Sequence, residues 1–220
     1  MQKAAVLSAD NKKRRPSGFE GKTVLGVTGG VGAGKSLILG LLQNSYGALV
    51  LQADRVCNEL IEPDGGSFHD VVALLGEEVL DPDGRIDKGK MSRMIFGSEE
   101  KRLAVNRILH PATYREVLRR IRETDNGLIV YESAIPREAR FRRICDRVLY
   151  IYASEETRIS RLAQTRGYSE EKSRAIMHAQ MSEKAFRRFA DEAVFNDGTP
   201  EEAAVSLENI LKAWGIERKT

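Results

Sequence analysis

Val24-Leu-Gly-Val-Thr-Gly-Gly-Val-Gly-Ala-Gly-Lys-Ser36 decides how the rest of the chain is read: a short apolar run breaks into glycines and ends on a lysine and a hydroxyl. Gly29, Gly34, Lys35 and Ser36 fill the spacing GxxxxGK[ST]. Glycines let backbone N–H groups converge on a polyphosphate, the lysine reaches the outer phosphates, and the hydroxyl can ligate Mg²⁺. Larger side chains would obstruct that approach, so Gly29, Gly30, Val31, Gly32, Ala33, Gly34, Lys35 and Ser36 are the candidate nucleotide-binding residues. Context separates this loop from an accidental glycine-rich turn: residues 23–27 read as a buried strand, and 37–43 as the first turns of a helix whose N-terminus faces an anion. The loop specifies a nucleotide and leaves the reaction open.

Downstream, Gly47 closes the helix and residues 48–52 form a second apolar run followed by Asp54. Ligands of parallel sheets gather at the carboxyl ends of strands, which would turn Asp54 toward the same crevice as Lys35. An aspartate here serves equally well as N-cap of a helix over 55–61, and both readings stay open. Residues 63–97 are loop-rich, with Asp64-Gly-Gly66 and Asp81-Pro-Asp-Gly84, and helices are expected over 99–109 and 112–122, the second started by Pro111. Further strands are read at 127–131, 147–152 and 193–195, alternating with helical stretches. The fold class is therefore α/β, a parallel five-stranded sheet with helices on both faces and right-handed crossovers. A helix beginning at Ser154 and Glu155 carries Arg158 and Arg161, with Arg166 past its expected end, and a second over 170–183 carries Arg174. Arginines on such a hairpin suit closure over transferring phosphates, or simply a solvated face with i,i+4 pairs such as Glu170 and Arg174. An amphipathic helix over 200–214 closes the chain.

Composition bounds the remaining options. With 220 residues, 41% of them hydrophobic, one sizeable core is expected, and 35 basic against 32 acidic residues give no nucleic-acid surface. Cys57 and Cys145 stand far apart without a CxxC, so neither zinc nor a disulfide framework is indicated. No stretch approaches the roughly 18 apolar residues of a membrane span, and a cytoplasmic location is the expectation. Residues 1–20, polar and basic, read as a disordered tail ahead of one domain over 21–220. Oligomeric state is not fixed by the sequence.

Several stretches together resemble the dephospho-coenzyme A kinase family, over about residues 22–214. They are Val27-Thr-Gly-Gly-Val-Gly-Ala-Gly-Lys-Ser36, Ala53-Asp54, His110-Pro111, Cys145-Asp146-Arg-Val148, Arg158 to Arg166 with Gln180 downstream, and Ala190-Asp191 leading to Asn196 and Gly198. The resemblance implies a P-loop nucleotide kinase fold and ATP- and Mg²⁺-dependent phosphorylation of the ribose 3′-hydroxyl of dephospho-coenzyme A. It further implies an acceptor-side helical insertion about 63–122 and a lid about 154–184. Lys35, Asp54, Arg161 and Arg166 would be catalytic, Asn196 would join the nucleotide site, and Ser36, with Asp54 directly or through water, would hold Mg²⁺. The chain departs from the family pattern at Gln52, where an aspartate is usual, at Leu37, where a small hydroxyl residue is common, and over Ala134-Ile-Pro-Arg-Glu138, where Pro-Leu-Leu-Phe-Glu is usual. These departures bear on the acceptor more than on ATP. The alternatives are a P-loop kinase for another nucleoside or nucleotide, or a non-catalytic nucleotide-binding module; a GTPase would carry Asn-Lys-x-Asp, which is missing here.

Overall fold

A computed structural model describes residues 16–134 and 138–219, with backbone alone for 138–140. Most of the expected tail and the centre of the Ala134-Ile-Pro-Arg-Glu138 departure lie outside the described residues. In chain order the elements are β1 (Thr23–Thr28), α1 (Lys35–Tyr46), β2 (Leu49–Gln52), α2 (Ala53–Leu60), α3 (Phe68–Leu75), a 3₁₀ turn (Glu77–Val79), α4 (Lys88–Phe96) and α5 (Glu99–Glu123). They continue with β3 (Leu128–Glu132), α6 (Glu138–Ile144), β4 (Arg147–Tyr152), α7 (Glu155–Arg166), α8 (Glu170–His178), α9 (Glu183–Phe189), β5 (Glu192–Phe195) and α10 (Pro200–Ala213). The chain divides into two compact units, one of Met1–Val50 with Asp125–Thr220 and one of Leu51–Thr124.

The first unit is built on a five-stranded sheet in the order β2-β3-β1-β4-β5. β1 lies parallel to β3, Thr23 opposite Leu128 and Val27 opposite Glu132, and parallel to β4, Leu25 opposite Arg147; β4 pairs in parallel with β5. Alternation of side chains sends Leu25, Val27, Val130, Leu149, Ile151 and Val194 to one face, where Ile38 and Leu42 of α1 and Leu207 and Leu211 of α10 cover them. Aromatic rings dominate the other packing: Tyr131 lies against Phe141 at 5.0 Å, Phe141 against Phe189 at 5.5 Å, and Tyr150 stacks on Phe186 at 5.0 Å. Covering both faces is what allows β1, β3 and β4 to be almost wholly apolar. Helix starts follow local chemistry. Ser154, Ser169, Ser182 and Thr199 each accept a hydrogen bond from the third residue of the helix they open, a cap worth about 1 kcal/mol apiece.

In the second unit, Ile61, Phe68, Val71, Leu75, Val79, Ile86, Val105 and Leu109 form a separate core. Arg120 on α5 reaches Glu59 at the end of α2, 2.7 Å away.

Four local expectations are corrected. The helices over 99–109 and 112–122 are one 25-residue helix with Pro111 inside it. Pro111 removes one ladder bond, yet Val105, Leu109, Ala112, Val117 and Ile121 make one buried stripe through it, and packing of that stripe outweighs the missing bond. Asp54 is not a cap: α2 begins at Ala53, Gln52 holds the cap position, and Asp54 lies exposed in the first turn, where its charge favours the helix dipole. Arg166 is the last residue of α7, not beyond it, with Gly167 in the left-handed region at φ 62° as the cap. The helix over 170–183 stops at His178 because Ser182 caps a new helix, α9.

Candidate active site

β1 leaves the middle of the sheet and turns through the glycine loop into α1, so the loop lies at the carboxyl edge of the strands. Gly34 carries the turn at φ 85°, a conformation that L side chains rarely adopt. It also has no room for a methyl group: a Cβ there would lie 2.1 Å from Asn196 Nδ2. Asn196, 2% exposed and directly after β5, donates that amide to the Ala33 carbonyl at 2.8 Å. It braces the loop from beneath.

Lys35 folds back over the loop, its Nζ donating to the carbonyls of Gly29 at 2.9 Å and Gly30 at 3.4 Å. Its ammonium also lies 3.8 Å from Glu132 Oε1, a carboxylate only 6% exposed at the end of β3. Ser36, one residue on, is exposed at the first turn of α1.

α7 approaches from the other side. Arg161 Nη1 is buried and has no hydrogen-bond partner among the described residues, and a Cβ placed on Gly34 would be 3.3 Å from it. A buried guanidinium nitrogen left unpaired costs free energy unless an anion meets it, which makes this the best-defined anion position in the unit. One turn earlier, Arg158 Nε donates to the Val31 carbonyl at 2.8 Å. Asp197, after Asn196, accepts from the Ser154 N–H at 2.7 Å. Burial pushes its carboxyl up, but hydrogen bonds from Ser154 and Thr157 outweigh that and hold it below the ordinary carboxylate value.

The loop residues Gly29, Gly30, Val31, Gly32, Ala33, Gly34 and Lys35 are thus gathered with Asn196 and Arg161. Arg166 is not part of that group here; it is exposed, its guanidinium 6.0 Å from the Tyr168 ring centroid. Asp54 belongs to the other unit. Arg174 makes the i,i+4 pair with Glu170 at 2.8 Å and also reaches Glu155, the solvated-face alternative. Sequence reasoning missed Glu132, although the signal was present: it ends an apolar strand as an acid, the very pattern that drew attention to Asp54, and its register opposite Val27 puts it beside the loop. It also missed Arg158 and Gln180 as loop contacts, whose partner Val31 is 127 and 149 residues away.

A family model described as Dephospho-CoA kinase matches residues 23–202. The dephospho-CoA kinase of Bacillus cereus is 34% identical over 197 residues, covering 88% of this chain and 98% of the relative. That of Carboxydothermus hydrogenoformans is 31% identical over 194 residues, 87% of this chain and 94% of the relative. Among solved structures, TT1252 from Thermus thermophilus superposes with a TM-score of 0.75 at 26% identity, covering 87% of this chain and 97% of that one. Dephospho-CoA kinase from Campylobacter jejuni shares the fold at a TM-score of 0.59 and 17% identity, covering 88% and 97%.

Proposed function

The chain belongs to the dephospho-CoA kinase family, and from that premise we propose that it transfers the γ-phosphoryl group of ATP to the ribose 3′-hydroxyl of dephospho-coenzyme A, giving coenzyme A and ADP. The single observation that carries the reading is Arg161, whose buried and unpaired Nη1 beside Gly34 wants an anion where the loop would hold phosphates. The loop amides and Lys35 bind the phosphates; on nucleotide entry the Lys35 ammonium exchanges the carbonyls of Gly29 and Gly30 for phosphate oxygens, a stronger, charge-assisted partner. Arg161 balances charge on the transferring group, joined by Arg166 when the α7–α8 hairpin closes. Asp54, an exposed carboxylate, orients or deprotonates the acceptor hydroxyl. Asn196 acts through the loop it braces. Little covalent work falls to the protein, and positioning supplies most of the rate.

Magnesium fits the donor chemistry: the Ser36 hydroxyl and the Glu132 carboxylate are hard oxygen ligands, and Mg²⁺ takes only one or two protein groups alongside waters and phosphates. When bound it neutralises charge on the β- and γ-phosphates. Glu132 has a second duty, holding the Lys35 ammonium at 3.8 Å from one side. No helix of the described residues is long and apolar enough to cross a membrane, and we assign the protein to the cytoplasm as a metabolic enzyme.

The test is direct. Protein, Mg-ATP and dephospho-coenzyme A are mixed, and ADP and coenzyme A are measured together, with adenosine and nucleoside monophosphates as competing acceptors. Stoichiometric ADP and coenzyme A support the proposal. Turnover confined to another acceptor would transfer the reading to a different P-loop kinase, for which the Gln52 departure leaves room; ATP binding without turnover on any acceptor would make the chain a binding module.

A further inference from the structure

Both backbone polar groups of Val31 are taken up by side chains from the α7–α8 region. Val31 N–H donates to Gln180 Oε1 at 2.9 Å, Val31 carbonyl accepts from Arg158 Nε at 2.8 Å, and Arg158 Nη2 donates to the same Gln180 oxygen at 3.3 Å. The three groups close a small ring at the tip of the glycine loop. Approach there is so tight that a Cβ on Gly30 would lie 2.4 Å from Arg158 Nη2, and one on Gly32 would lie 2.9 Å from the Arg158 carbonyl oxygen. Gly30 and Gly32 therefore admit α7 as well as phosphate. Burial pushes the Arg158 guanidinium below the ordinary arginine value, and the charges of Tyr150, Glu155 and Tyr152 pull it back only in part. Gln180 itself is anchored just past α8, its N–H donating to the Met177 carbonyl at 3.1 Å.

We propose that Arg158 and Gln180 are positioning residues that clasp Val31, setting the shape of the glycine loop and coupling it to the α7–α8 hairpin. The inference rests on the nucleotide-binding reading of that loop. Its physical content is pre-organisation. A glycine-rich loop left to itself samples many backbone conformations, and each hydrogen bond that fixes Val31 reduces the ordering that ATP must otherwise impose. Movement of the hairpin must carry Val31 with it or break the ring. Neither residue needs to touch the substrate.

The experiment uses the full chain and two readouts. Amide exchange at Val31 is followed in the absence of nucleotide, and ATP affinity is measured by equilibrium titration. Gln180→Ala is expected to speed Val31 exchange at least about tenfold while β1 amides keep their protection, and to weaken ATP binding about tenfold, the upper end for one lost neutral hydrogen bond. Gln180→Glu keeps an acceptor oxygen and should restore Val31 protection. Arg158→Ala should weaken ATP about as much, and Arg158→Lys, which keeps the charge but lacks the fork, should not rescue it. Because both side chains act through one residue and touch each other, the double variant should lose well under the roughly hundredfold that independent effects would give. Unchanged Val31 exchange in Gln180→Ala, faster exchange spread equally through β1, or wild-type ATP affinity in both single variants would overturn the proposal. Absence of ATP binding by the wild-type chain would overturn the nucleotide reading first, and the proposal with it.

Discussion

Replacing Gly34 with alanine separates backbone strain from contact. The left-handed φ of 85° costs an L residue about 1–2 kcal/mol. The new methyl group also falls 2.1 Å from Asn196 Nδ2, so the amide must leave its 2.8 Å bond to the Ala33 carbonyl. Stranding that buried carbonyl costs about 1–3 kcal/mol more. Gly34→Ala should therefore lose about 2–5 kcal/mol, read by urea denaturation at constant slope. Asn196→Ala alone should lose about 1–3 kcal/mol. The double variant loses the Ala33 bond only once, so its stability should match that of Gly34→Ala, with a coupling of about 1–3 kcal/mol in the cycle. Strict additivity, or a Gly34→Ala variant within about 0.5 kcal/mol of wild type, would refute this account of the loop.

Further expectations concern chemistry and pH. Lys35→Ala should leave the fold intact while kcat falls at least about a hundredfold, the scale for one pre-organised charge stabiliser; near-native turnover would end the phosphate-loop assignment. Arg161→Ala should cost about 1.5–3 kcal/mol of transition-state stabilisation in kcat/KM, and Arg166→Ala a comparable amount that appears in kcat, because Arg166 contributes only after closure. Asp54→Asn should lower kcat far more than stability; loss of melting temperature with kcat intact would assign Asp54 to the helix dipole alone. In the second unit, a hydrogen bond from Arg119, then one from Arg120, overcome desolvation and hold the Glu116 carboxylate at about 2 instead of 4.5. A depressed carboxylate stabilises above its unfolded value, so the advantage of wild type over Glu116→Gln, about 1 kcal/mol after solvent screening, should be full above pH 5 and vanish as the pH falls toward 2. A gap that persisted at the acid end would show that shape, not charge, holds the pair.

What the sequence made legible was whatever depends on near neighbours. Five apolar runs marked five strands, and the alternation with helices made the sheet parallel. Ser154 marked where a helix begins, because a hydroxyl three residues before an unpaired N–H is a local event. Pro111 misled for the opposite reason: its local cost is real, but the stripe that overrides it is completed by residues of other helices. The loop was read from its GxxxxGK[ST] spacing and from the strand and helix that flank it, all of them local constraints. Its supports were not legible in the same way. Nothing near Asn196, Arg158 or Gln180 in the chain announces a bond to Ala33 or Val31, and Arg161, which the sequence pairs with Arg166, is set apart from it only by a nitrogen that is buried and unpaired among the described residues. Glu132 needed the register of β3 against β1.

That register has a consequence for how the chain is made. β1 leaves the ribosome before the other described strands, yet its partners begin at Leu128 and Arg147. At about 5–20 residues per second, the apolar Thr23–Thr28 segment waits roughly 5–20 s for its first hydrogen-bonded neighbour, a window in which it is open to chaperones and to other nascent chains. Leu51–Thr124, a continuous stretch with its own core, can condense during that wait. The strand that leads into the phosphate loop is therefore secured only after Leu51–Thr124 has been made, and the nucleotide site is completed only when the C-terminal half of the chain has emerged.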